Sequence, residues 1–175
     1  MKRALRLLLA AVVVLAAAFG YFHMHEGTGG LPPGSPAPPF RLPSLAGGEV
    51  GIESLRGRLV VVNFWATWCA PCVAEMPSLE RLSRALGREG LTVLGVSVDE
   101  DETALRSFTE RAGLTFPILR DPGGRTTARA YRVSAYPQTV VIDAGGLVKE
   151  HWLGPAQWDT PEALDHFRGL LAPTP

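Results

Sequence analysis

Cys69 and Cys72 are the chain's only cysteines, and they sit in the stretch "NFWATWCAPCVAEMP", Asn63 to Pro77, separated by Ala70 and Pro71 and preceded by Trp68. Two thiols so spaced can trade electrons with another disulfide, form half of a metal site, or react with a peroxide. Their setting favours exchange. Val60 to Trp65 is a short apolar run rich in β-branched residues, the mark of a strand covered on both faces. Beyond the cysteines, Met76, Leu79, Leu82 and Leu86 recur at helical spacing, with Gly87 or Gly90 as the stop. Cys69 therefore falls where a strand ends and a helix begins. Unpaired backbone N–H groups and the helix dipole stabilise a thiolate there, and the thiolate is the attacking species in disulfide exchange. Cys72, close to one turn on, can reach back to release a mixed disulfide. Pro71 costs little in a first helical turn, which has no intrahelical donor to lose. A structural staple is a poor alternative, because a bond closing so short a loop removes little chain entropy.

Glu75 follows Cys72 by three residues and shares its helical face. Two readings stand side by side. A partly buried carboxylate there accepts the Cys72 proton during attack; a solvated one merely suits an early helical turn. Pro77, inside the same helix, removes the bond to the Val73 carbonyl and predicts a kink. The other candidate site is "SAYPQT", residues 134–139, where Pro137 precedes a strand. Only about 5 to 6% of X-Pro bonds in folded proteins are cis, and spacing does not fix the isomer.

Further elements must position these groups. Leu91 to Val98 reads as a second central strand, and Leu105, Phe108 and Ala112 as an amphipathic helix led by the acidic run at 99–102. Phe116 to Leu119 suggests a short strand and Thr126 to Tyr131 a short helix. Thr139 to Ile142 is a strong strand, Ala144 to Gly146 a turn, and Leu147 to Leu153 its antiparallel partner. Thr160-Pro161 opens a last helix with Leu164, Phe167 and Leu170 on one face. Alternating strands and helices that finish in a hairpin and a helix describe an α/β three-layer sandwich with a mixed sheet.

Basic and acidic residues balance at 17 each, so there is no electrostatic case for nucleic acid. A length of 175 residues with 46% hydrophobic side chains suits one domain plus an N-terminal extra. That extra, "MKRALRLLLAAVVVLAAAFGYF", has three positive charges and then 16 uncharged residues from Leu7 to Phe22. It is a signal or membrane anchor, near the shortest helix that spans roughly 30 Å of hydrocarbon. Ala16 to Ala18 reads as a cleavage site, whereas the apolar continuation through Phe19, Tyr21 and Phe22 favours an uncleaved anchor. Either way the positive-inside rule sends the rest of the chain out of the cytoplasm, to the periplasm or its equivalent. Disulfides persist there. The expected organisation is residues 1–26 as signal or anchor, 27–39 as a Pro/Gly-rich linker extending about 40 Å, and 40–172 as the domain.

Taken in order, these motifs resemble the thioredoxin superfamily, specifically its TlpA/ResA-like (CcmG/DsbE-like) branch of anchored or exported thiol-disulfide oxidoreductases. The likeness spans Pro36 to about Leu171. "GSPAPPFRLPSLAGGEV" and "LRGRLVVVNFWATWCAPC" resemble the N-terminal hairpin and active-site strand shared with peroxiredoxins. Pro77 matches the helix-kinking proline, "AYPQTVVID" the cis-proline loop and its strand, and residues 101–121 the branch's central helix-strand insertion. The resemblance implies a redox-active Cys69–Cys72 disulfide, with Cys69 attacking and Cys72 resolving. It implies a cis Tyr136-Pro137 bond, with Trp68, Ala70, Pro71, Tyr136 and Pro137 surrounding the site and docking substrate. Thioredoxin has a buried aspartate where this chain has Asn63, and a glutamate at the Glu75 position takes over in this branch. The implied partners are proteins with disulfides, among them apocytochrome c, and a membrane-embedded thiol donor. No cofactor is implied, and the chain is expected to be a reductant more than an oxidant. Gln138 departs from the acidic residue or threonine common after the cis-proline, which leaves the substrate open.

Two rival readings are weaker. Peroxiredoxin-like peroxidases use a cysteine in a threonine-containing motif, and Thr67 is not placed for it. A zinc site or copper chaperone would need ligands beyond one cysteine pair. His23 and His25 lie across the linker, and His151 and His166 sit in elements that read as structural, so no metal is expected.

Overall fold

The computed structural model describes residues 30–172. The expected anchor and the first residues of the linker, with His23 and His25, lie outside the described residues. Among those described, no helix is long and apolar enough to cross a membrane.

A small hairpin comes first, β1 (Arg41–Pro43) with β2 (Glu49–Gly51). The main sheet has the order β5-β4-β3-β6-β7, built from β3 (Leu59–Trp65), β4 (Leu91–Ser97), β5 (Ile118–Arg120), β6 (Gln138–Ile142) and β7 (Val148–Leu153). β3, β4 and β5 run parallel, and β6 and β7 are antiparallel additions, so the sheet is mixed as expected. Among the described residues three α-helices complete the fold: α1 (Ala70–Leu86), α2 (Glu102–Ala112) and α3 (Pro161–Leu171). α2 and β5 form the central insertion.

Strand alternation divides the core. Val61 and Trp65 face the buried sides of the helices, among them Leu79, Leu82, Leu105 and Phe167. Val60, Val62 and Phe64 face Phe40, Leu42, Ile52 and Tyr131. Gly95 of β4 lies on the helical side, where a Cβ would stand 2.9 to 3.0 Å from Ile118, Phe116 and the Trp65 indole. Only glycine leaves room there for these three side chains. Each helix start is capped: Asp101 accepts from the Thr103 and Ala104 N–H groups, and Thr160 from Ala163 N–H.

Two expectations change. Residues 126–131 form turns, not a helix. The buried Asp121 carboxylate takes the Thr126 and Thr127 N–H groups at 2.9 and 2.7 Å, and Arg132 closes the segment at φ 53°. The side chain thus satisfies donors that a helix would leave open, and the left-handed residue ends the turn. The linker expected to run free to Pro39 is docked from its described start. Leu31 and Ala37 are buried, and bonds Gly34 N–H to Val148 C=O (2.7 Å), Val148 N–H to Ser35 C=O (2.9 Å) and Ala37 N–H to Gly146 C=O (3.0 Å) lay the segment along β7. The Tyr131 hydroxyl donates to the Pro38 carbonyl at 2.8 Å. Prolines are at home on such an edge, where their missing donors face outward. At the opposite edge Leu45 N–H bonds the Ile118 carbonyl of β5 at 2.9 Å.

Candidate active site

β3 delivers Trp65 to the end of the sheet, and five residues later the chain enters α1. Cys69 is the helix N-cap, with its Sγ 3.4 Å from the Cys72 N–H and Pro71 in the first turn. The two cysteines are joined, S–S 2.05 Å. Cys69 keeps 7% of its surface exposed and Cys72 none, so an outside sulfur meets Cys69 first. The loop before Cys69 is tied down by Asp99, a buried carboxylate just past β4. It accepts the Thr67 N–H at 2.9 Å, the Thr67 hydroxyl at 2.6 Å and the Ser97 hydroxyl at 2.7 Å. Within the acidic run at 99–102, Asp101 fills the helix-start role expected from the sequence, and Asp99 holds the active-site loop instead.

Around Cys69, Ala70 and Pro71 are exposed, and Trp68 stands 67% open with its ring edge-on to Tyr136 at 6.0 Å. The Tyr136-Pro137 bond is cis. Burial, with a contribution from the charge of Asp121, pushes the Tyr136 hydroxyl above its ordinary range. Gly154 N–H reaches across from the end of β7 to the Pro137 carbonyl at 2.9 Å.

Glu75 is 1% exposed. The solvated reading is therefore excluded. Its Oε1 accepts from Asn63 Nδ2 at 2.8 Å, and its Oε2 from Ala156 N–H at 3.1 Å and Trp158 Nε1–H at 2.9 Å. Asn63 Nδ2 also donates to Thr139 Oγ1 at 2.9 Å. Burial pushes the Glu75 carboxyl above the ordinary carboxylate range, while the bonds from Trp158, Ala156 and Asn63 oppose the rise. Asn63, Thr139 and Glu75 are one polar island on the helical face of the sheet. Trp158 and Ala156 were missed from the sequence, since they lie 83 and 81 residues from Glu75 and no spacing connects them. α1 runs unbroken through Pro77, and Ser78 caps the Glu75 carbonyl at 2.8 Å.

The remaining histidines stand apart from the sulfurs. His166 bonds Glu150 at 2.7 Å, and His151 packs beside Gly30. Among the described residues no three His, Cys, Asp or Glu side chains converge as a metal cluster.

Known proteins are similar to this chain. The AhpC/TSA family profile matches residues 33–151. Thiol-disulfide oxidoreductase ResA of Geobacillus kaustophilus is 39% identical over 155 residues, 86% of this chain and 88% of that one. Thioredoxin-like protein YneN of Bacillus subtilis is 37% identical over 128 residues, 71% of this chain and 74% of that one. A Chlorobium tepidum structure, described as a candidate DsbE thiol:disulfide interchange protein, superposes with a TM-score of 0.75 at 28% identity, covering 81% of this chain and 99% of that one.

Proposed function

The chain belongs to the AhpC/TSA family and is a thiol-disulfide oxidoreductase of the ResA/DsbE type, and from that membership we propose that it is a membrane-tethered reductant of disulfides in exported proteins, apocytochrome c among them. One observation carries the mechanism: a buried carboxylate, Glu75, stands one helical turn behind Cys72 on the same helix. The reduced Cys69 thiolate, stabilised at the helix N-terminus, attacks one sulfur of the substrate disulfide and expels the other as a thiolate. Cys72 then gives its proton to Glu75 and attacks Cys69 Sγ. That step releases the second substrate sulfur and restores the Cys69–Cys72 bond, two electrons having passed to the substrate. The exposed Trp68 ring, Tyr136 and the Pro137 backbone offer a docking face for an extended substrate segment beside Cys69.

Tethering and location are supported by the sequence pattern of residues 1–26, with its basic start and uncharged run. A membrane-embedded thiol donor would then re-reduce the pair from the same bilayer. The test is to express Cys72→Ser in full-length form and identify trapped partners. Exported proteins with cysteine pairs, held through Cys69, are the expected catch, and none should be caught by Cys69→Ser. The reduction potential gives the direction. A value near or below that of thioredoxin, about −270 mV, fits a reductant, and one near DsbA, about −120 mV, would reverse the assignment.

A further inference from the structure

Asn63 is fully buried, and its amide is used at one end only. Nδ2 serves both Glu75 Oε1 and Thr139 Oγ1, while Oδ1 has no hydrogen-bond partner among the described residues. A buried polar atom without a partner gives up its hydration with nothing in return. The arrangement suits an ionised Glu75, which only accepts. Once Glu75 takes a proton on Oε1, that O–H faces the Asn63 NH2, donor against donor. Turning the amide over removes the conflict, because Oδ1 then accepts from Glu75 Oε1–H. Thr139 fits both orientations, since a hydroxyl accepts in one and donates in the other. The end of the amide that points away meets no partner to lock it, so neither orientation is favoured by an outside bond.

We propose that Asn63 is an amide switch that keeps Glu75 hydrogen-bonded in both protonation states by presenting Nδ2 to the carboxylate and Oδ1 to the acid. This rests on the reading of Glu75 as the proton acceptor of Cys72, and it makes Asn63 a positioning residue. A second observation bears on where the proton goes next. Glu75, though 1% exposed, is among the residues that line a surface crevice of about 280 Å³ with Ala74, Pro155, Ala156 and Gln157, so the crevice wall is the shortest boundary between this carboxyl and solvent water. Other charged groups on the packed elements are engaged or set aside. Glu80 is held by Arg84 and Thr115, Arg81 pairs with Asp159, and Glu162 and His166 line the separate groove beyond Trp158. β3 and β6 carry no titratable side chain.

The test uses oxidised full-length protein in detergent micelles, so no turnover is involved. NMR follows the Glu75 carboxyl carbon and the cross-peaks between the Asn63 NH2 protons and the Thr139 methyl from pH 4 to pH 9. The cross-peaks should be present where Glu75 is ionised and lost where it is protonated, with one shared midpoint. In Trp158→Phe, which removes a donor to the carboxylate, both midpoints should move together to higher pH. Cross-peaks that persist through the Glu75 titration, that keep their old midpoint in the variant, or a carboxyl that never titrates in this range would each overturn the switch. Those results would leave the trapping experiment untouched, and empty Cys72→Ser traps would in turn not affect the amide.

Discussion

Replacing Glu75 by Gln should make the protein more stable, and increasingly so as the pH rises. The folded chain holds this carboxyl above its ordinary value of 4.5 because burial disfavours the charge. Below that value both folded and unfolded chains bind the proton, and ionisation adds nothing. Between the ordinary and the raised values the folded chain keeps a proton that the unfolded chain has released. Stability of the wild type then falls as pH rises, by up to about 1.4 kcal/mol per pH unit for one proton. Above the raised value both states are ionised and the loss stays constant. Glutamine escapes this loss, and its amide fits the island: Oε1 takes Ala156 N–H and Trp158 Nε1–H, and Nε2 donates to a turned Asn63. Guanidinium unfolding of the oxidised wild type and variant, followed by tryptophan fluorescence at matched ionic strength from pH 4 to pH 8, measures the difference. Other titrating groups cancel in it. The difference should grow with pH and then level off at a plateau that reports the raised value. A difference independent of pH would refute a raised Glu75, and one that shrinks with pH would mean that the three hydrogen bonds outweigh burial.

Asp99→Asn turns one acceptor oxygen into a donor facing Thr67 or Ser97 and should cost about 1 to 3 kcal/mol in chemical unfolding; disulfide exchange should slow as the loop before Cys69 loosens, and unchanged stability would show that the loop holds without Asp99. Tyr131→Phe keeps the ring packing but deletes the bond to the Pro38 carbonyl, a loss of about 1 kcal/mol. Amide hydrogen exchange at Ala37 and Val148 should accelerate in that variant before the central strands respond.

The reactive pair was legible because its signals are local. An apolar run, two cysteines and a helical repeat share one continuous stretch, and their order alone places the sulfurs at a strand-to-helix junction. Glu75 was half legible: its spacing from Cys72 gives the helical face but not its depth, and depth separates the two readings. What buries it is the segment from Gly154 to Trp158, which arrives through the fold. Asp99 was hidden by its neighbours, since a run of four acidic residues looks like a helix start whichever member does the capping. The turn at 126–131 was misread for a related reason, because Asp121 supplies through space the acceptor that a helix would have taken from its own backbone. The docked stretch from Leu31 to Pro39 shows the limit of composition. Five prolines and four glycines in residues 27–39 argue against a regular element, but not against lying along one.

That docked stretch also governs how the molecule behaves in company. An open sheet ends in two strands whose outer N–H and C=O groups invite pairing with another chain. Here the lower part of β7 is occupied by Gly34 to Ala37 and the β5 edge by Leu45, both from the sequence before the first long strand. A version trimmed to begin at Phe40 would keep its sulfurs and its helices, yet it would bare the β7 edge beside the exposed Trp152 and Leu153. At high concentration such a chain would meet its own copies edge to edge, and its fault would be poor colloidal behaviour rather than lost chemistry.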